Sequence, residues 1–123
     1  MDDSEAQFQE HLARLDAFRK GRPAAIKEGV AALSRLMRVA QSDTGQSKRV
    51  ALFLLGLYNG DRWKYDLTDF RGLDLQLFDD CITVLKMDYS PEREVHKYFA
   101  DGGELFERLA SDWGVSDQPA SDR

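Results

Sequence analysis

Val50-Ala51-Leu52-Phe53-Leu54-Leu55-Gly56-Leu57-Tyr58 carries no charge and is apolar on every helical face. Its length and leucine content favour a helix over a buried strand. A helix without a polar face has to be surrounded, so this stretch predicts the central helix of a bundle, about residues 48–58, with Ser47 as its cap. Asn59-Gly60 ends it as a turn.

The flanking segments supply the covering helices. Upstream, Ile26, Val30, Leu33, Met37 and Ala40 recur at helical spacing, which predicts a helix over residues 23–41. Pro23 suits its first position, and Gly21 supplies a left-handed stop for an earlier helix over residues 5–20. That first helix has Ser4-x-x-Gln7 as a capping box and an apolar series at Phe8, Leu12, Leu15 and Phe18 or Arg19. Downstream, residues 61–66 read as an ordered loop anchored by Trp63 and Tyr65. Asp66 or Thr68 caps a short helical turn that stops near Gly72. Asp74 caps a long helix to about residue 86, with Leu75, Phe78, Ile82 and Leu85 as its buried stripe. Ser90-Pro91 predicts a further helix start, and Asp101-x-x-Glu104 a second capping box before a last helix that ends at Gly114. The expectation is an all-α, compact bundle of five to six helices. Residues 1–114 form a single domain, and the polar residues 115–123 a disordered tail.

The chain has 123 residues, 42% hydrophobic and 32% charged, which suits one globular domain. It has 17 basic and 22 acidic side chains, for a net charge of -5. That balance argues against binding nucleic acid directly through bulk charge. A single cysteine excludes internal disulfides and multi-cysteine metal sites. No apolar run approaches the roughly 18 residues of a membrane span, and the acidic start Met1-Asp2-Asp3-Ser4-Glu5 is unlike a secretory signal. A cytoplasmic protein without metal or cofactor is the expectation.

The charge is unevenly placed. Residues 23–58 carry five basic and two acidic side chains, and residues 59–123 carry 15 acidic and eight basic ones. The turn Asp43-Thr44-Gly45-Gln46-Ser47 precedes the central helix, whose N-terminus offers free N–H groups and partial positive charge. Arg38, Asp43, Thr44, Ser47, Lys48 and Arg49 are therefore candidate anion-binding residues; the competing reading is a self-capping turn. Asp-Thr-Gly also occurs in aspartic proteases, but that chemistry needs two opposed triplets and one is present. The acidic half offers Asp66, Asp69, Asp74, Asp79, Asp80, Glu92, Glu94, Glu104 and Glu107 as a partner-binding face that attracts a basic surface. Capping explains Asp66, Asp69 and Asp74 equally well, and the spacing fits no calcium loop. Asp79 and Asp80 are adjacent on a helix and point about 100° apart. His11 and His96 lack any catalytic spacing, and Cys81 reads as a small packing residue.

The run from Val39 to Ala51, Val39-Ala40-Gln41-Ser42-Asp43-Thr44-Gly45-Gln46-Ser47-Lys48-Arg49-Val50-Ala51, with Phe53-Leu54-Leu55, Tyr65-Asp66-Leu67-Thr68-Asp69, Asp79-Asp80 and Phe106-Glu107-Arg108-Leu109, resembles a family of small bacterial proteins known as a domain of unknown function. The resemblance covers about residues 32–113 and leaves the first helix outside. It implies an accessory protein of a plasmid or integrative element, and no activity. The function expected is non-enzymatic: binding a basic protein surface, such as a nucleic-acid-handling CRISPR or restriction complex, and inhibiting it. The alternatives are a small enzyme or phosphate binder at the Asp43–Ser47 turn, and a dimeric adaptor that pairs through the first helix. The chain is expected as a monomer or homodimer.

Overall fold

The computed structural model describes residues 2–115. The fold is all-α; among these residues there are four α-helices, two 3₁₀ segments and no strand. The central helix is found where the apolar run lies. It is α2, Ser47–Tyr58, with Val50, Ala51, Phe53, Leu54 and Leu55 buried. Its neighbours are α1, Asp3–Ala40, and α4, Gly102–Asp112, while α3, Leu75–Asp88, lies along α1. The 3₁₀ segments Leu67–Gly72 and Val95–Tyr98 close the remaining sides.

The largest departure from expectation is α1. The chain does not break at Gly21 and Pro23; one helix of 38 residues runs through both, about 57 Å at 1.5 Å per residue. An interior proline removes a backbone donor and costs roughly 3 kcal/mol. Tertiary contacts on the C-terminal side offset that cost. Gly29, Leu33, Leu36, Met37 and Ala40 are buried. Arg22 donates to the carbonyls of Lys86, Met87 and Ser90 at 2.8–3.0 Å, which binds α1 to the C-terminal end of α3 and satisfies carbonyls that helix leaves open. Exposed ion pairs, Glu10 with Arg14 and Asp16 with Lys20, run along the outer part. The N-terminal cap is Asp2, which accepts from the Glu5 N–H at 2.8 Å, rather than a box at Ser4.

α3 lies antiparallel to α1: Arg35 faces Asp80, Gly29 faces Met87, and Arg22 faces the helix end. A Cβ on Gly29 would fall 2.5 Å from Met87 Cβ, so the two backbones approach where only glycine fits. The buried face of α3 is Asp80, Cys81, Val84 and Met87. The expected stripe is thus displaced: Leu75 and Leu85 are exposed, and Phe78 and Ile82 half-buried. Asp74 caps α3 as expected, accepting from the Leu77 N–H at 2.8 Å, and Asp66 caps the first 3₁₀ segment through the Thr68 N–H. Trp63 is buried, and Tyr65 packs edge-on against Phe53 and Phe70, so the 61–66 loop is anchored as its aromatics predict.

Ser90-Pro91 starts no helix. The Ser90 carbonyl is taken by Arg22, and Val95 is drawn into the core, so the chain turns in as a 3₁₀ segment. Asp101 makes no capping hydrogen bond; it sits in the left-handed region at φ 52°. Gly102 beside it packs so tightly on the 3₁₀ segment that a Cβ would overlap the His96 carbonyl oxygen. The far end of α4 follows its sequence signal. Gly114 adopts φ 63°, its N–H bonds the Ser111 carbonyl, and the Val115 N–H bonds the Ala110 carbonyl, the paired hydrogen bonds of a Schellman stop. Trp113 Nε1 donates to the last carbonyl of α1, Ala40, at 2.8 Å. Val115, assigned to the tail by sequence, packs against the core; the rest of that tail, 116–123, lies outside the described residues.

Candidate functional site

The turn before α2 brings its hydroxyls together and uses them. The buried Ser47 Oγ accepts from the Thr44 N–H at 3.0 Å and shares a hydrogen bond of 2.8 Å with Thr44 Oγ1. Thr44 Oγ1 also accepts from the Gln46 N–H. The residue flanking α2 is Gln46, not Ser47, and its side chain reaches α3: its carbonyl accepts from the Asp74 N–H at 2.6 Å. Arg49 folds back toward Gly72, whose missing Cβ leaves room for the guanidinium. Asp43, Lys48 and Arg38 are exposed around this turn. The groove beside it, about 330 Å³, is lined by Arg35, Thr44, Gln46, Asp74 and Asp80. Two carboxylates in that wall disfavour an anion, and the one guanidinium there is already neutralised by Asp80. The turn caps itself, with Thr44 and Ser47 hydrogen-bonded to backbone and to each other, while Arg49 stays exposed beside Gly72.

The acidic candidates separate into two groups. Asp80 is not on a face at all. It is buried, and Arg35 Nη2 and Nε donate to its two oxygens at 2.9 and 3.2 Å. This bidentate bond also raises the Arg35 guanidinium above its ordinary value. Asp79, one position along, is exposed, as their roughly 100° divergence requires. Asp66 and Asp74 are consumed as caps, and the Thr68 hydroxyl and N–H hold the Asp66 carboxyl below its usual range. Glu107 is held by Arg62, whose two terminal nitrogens both donate to it, and by the Tyr58 hydroxyl at 2.8 Å. Arg62 first, and then Tyr58, lowers the Glu107 carboxyl. The second group is Asp69, Asp79, Glu92, Glu94 and Glu104. These carboxylates make no ion pair among the described residues, and all but the half-buried Asp69 are exposed.

Two features escaped the sequence reading. Arg62 lies 3.9 Å over the Trp63 ring while binding Glu107, and Tyr58 stacks between this pair and Phe106, edge-on to His96. His96 is thus packed, with Nδ1 buried and unpartnered among the described residues, rather than exposed. The partners are about 45 residues apart, and no local spacing announces them. The other feature is the exposure of the first helix's apolar series on the outer part of α1. Phe8, Leu12 and Phe18 are 59%, 43% and 39% exposed. Beside Phe18, the exposed Tyr89 and Leu85 help to wall a groove of about 430 Å³ with Ile82, Arg22 and Lys86. No group of His, Cys, Asp and Glu side chains among the described residues converges as a metal site, and no described helix is long and apolar enough to cross a membrane.

No curated protein and no solved structure matches the chain. A family model does match, over residues 30–114. That span starts inside α1, beside Gly29, and runs to the stop of α4, so it takes in α2, α3, α4 and the buried part of α1 but not the exposed part. The chain belongs to the family of unknown function DUF7673.

Proposed function

We propose that the protein acts by binding a basic partner rather than by catalysis. The observation that supports this is the division of its carboxylates. Of the carboxylates expected on a partner-binding face, Asp66, Asp74, Asp80 and Glu107 are spent on caps and internal ion pairs. Asp79, Glu92, Glu94 and Glu104 remain exposed without such partners among the described residues. Unpaired surface carboxylates steer a basic partner and accept its Lys and Arg side chains on docking. The partner that fits is a positively charged protein surface, such as the nucleic-acid groove of a CRISPR or restriction complex, which these carboxylates would occupy in place of phosphates. On this reading the protein is a cytoplasmic accessory of a bacterial mobile element that inhibits such a complex. The net charge of -5 supports the sign of the partner.

The test is affinity capture from a bacterial lysate at low and high salt, comparing the wild type with Asp79→Asn, Glu92→Gln, Glu94→Gln and Glu104→Gln combined. Salt-sensitive capture of a nucleic-acid-handling complex, lost in the combined variant, is the expected result. Equal capture by both proteins at low salt would overturn the proposal.

A further inference from the structure

We propose that the outer part of α1 is a dimerisation arm, and that its occupant is the same arm of a second copy, packed antiparallel across a two-fold axis near His11 and Leu12. The helical stripe that faces the core through Ile26, Gly29 and Leu33 continues N-terminally as Leu15, Leu12 and Phe8. Where α3 ends, the cover ends, and the stripe emerges into solvent with Phe18 edge-on to Tyr89 at 6.0 Å. Beyond that contact Phe8 and Leu12 are exposed and Leu15 is half-buried.

The charge on the arm selects a second copy, and an antiparallel one. Residues 2–10 carry four acidic side chains, Asp2, Asp3, Glu5 and Glu10, and no basic one. Residues 11–22 carry Arg14, Arg19, Lys20 and Arg22 against Asp16. Such a helix repels a parallel copy of itself and complements an antiparallel one, because a two-fold axis places each acidic half on the other's basic half. The charge division, between Glu10 and His11, lies within one residue of the midpoint of Phe8 and Leu15, between His11 and Leu12. In that register Phe8 of one copy faces Leu15 of the other. The acidic tip at Asp2, Asp3 and Glu5 reaches the groove beside Tyr89, whose rim carries Arg22 and Lys86. The incoming helix N-terminus then continues the line of α3, meeting its C-terminal end with a dipole of opposite sign.

The contact is modest. Eighteen residues make an arm about 27 Å long and about 10 Å wide, so each copy offers on the order of 300 Å² of footprint, with the groove at each end added. Twice that, about 600 Å², falls short of the roughly 1,000 Å² of a stable specific interface, so the dimer is a weak one that should form at high-micromolar concentration.

Light scattering on the full chain at low salt, from micromolar to millimolar, reads the outcome. The expected mass is twice 14.0 kDa. Glu5→Lys with Glu10→Lys should be monomeric, as should Arg14→Glu with Arg19→Glu, and an equimolar mixture of the two should recover the dimer mass. Leu12→Ser keeps every charge and should raise the dissociation constant about 100-fold, since each dimer loses two buried leucines; it serves as the deciding variant if a swapped arm loses helicity by circular dichroism. A wild type that stays at 14.0 kDa, a larger oligomer, or folded swapped variants that do not pair when mixed would overturn the proposal. Capture of a basic partner by the carboxylates of the domain body would be unaffected by any of these outcomes.

Discussion

Alanine at Gly21 and at Gly29 should move stability in opposite directions, although both are interior positions of α1. A Cβ at Gly29 would stand 2.5 Å from Met87 Cβ, with Met87 Sδ and Cγ at 2.6 and 2.9 Å. The sulfur and Cγ can rotate away, but Cβ is fixed to the backbone of α3. Relief therefore requires the helices to part by about 1 Å in an interior packed as densely as a crystal. Overpacking costs about 1–3 kcal/mol, and a clash with a Cβ that cannot rotate away belongs in the upper part, about 2–3 kcal/mol, of which the better helix propensity of alanine returns about 1 kcal/mol. The net loss is about 1–2 kcal/mol, or a Tm lower by about 4–8 °C for a domain of this length. At Gly21 a Cβ would meet nothing within 4 Å, so alanine keeps its full propensity gain, about 1 kcal/mol, and Tm rises by about 4 °C. Urea titration and thermal melts followed by circular dichroism measure both. A destabilising Gly21→Ala would refute the continuous helix, because it would mean that Gly21 holds a left-handed turn. A neutral or stabilising Gly29→Ala would refute the close approach of α1 and α3.

The Arg35–Asp80 pair should be asymmetric. The Arg35 side chain is 47% exposed and that of Asp80 9%. Asp80→Ala leaves a cation that water can reach and should cost about 2 kcal/mol; Arg35→Ala strands a buried carboxylate and should cost about 3 kcal/mol or more in urea titrations. The opposite order would show that the carboxylate has another partner. Burial, with a contribution from Asp80, pushes the Cys81 thiol up to about 12, so iodoacetamide should modify the native protein far more slowly than the urea-unfolded chain; equal rates would contradict the buried placement. Arg62 holds the Glu107 carboxyl below its ordinary value of 4.5. The stabilisation is fully present above that value and is lost as the pH falls through the lower folded value. Glu107→Gln should therefore lose less stability than the wild type between about pH 5 and pH 3, as urea melts will show.

The all-α fold and its central helix were legible because they rest on local rules. A run apolar on every side has to be enclosed, and the caps at Asp66 and Asp74 and the glycine stop at Gly114 act within a few residues of themselves. The errors came where a distant contact outweighed a local signal. Gly21 and Pro23 carry the marks of a helix break, but Arg22 between them is fastened to carbonyls 64 to 68 positions away. Ser90-Pro91 carries the marks of a helix start, but the same arginine takes the Ser90 carbonyl. The candidate site suffered in the same way. Asp80 counts as surface charge in a sequence; only its partner 45 positions upstream makes it a core residue. The arm's apolar series at Phe8, Leu12 and Leu15 was visible from its spacing, but spacing does not reveal that α3 ends at Asp88 and leaves that series uncovered.

The continuity of α1 has a torsional consequence. One rigid rod joins the core to the projecting segment, so the direction in which Phe8 and Leu12 point is set by the residue count back to Gly29. Adding one residue near Gly21 would swing the whole outer segment by about 100° and advance it by about 1.5 Å, turning its apolar side away from the Tyr89 groove. Seven or eleven added residues would leave it within about 20° of its present bearing, and about eighteen would restore the bearing completely. The length of the outer segment is therefore free to vary only in helical steps, much as the teeth of a key may be moved along the shaft but not around it.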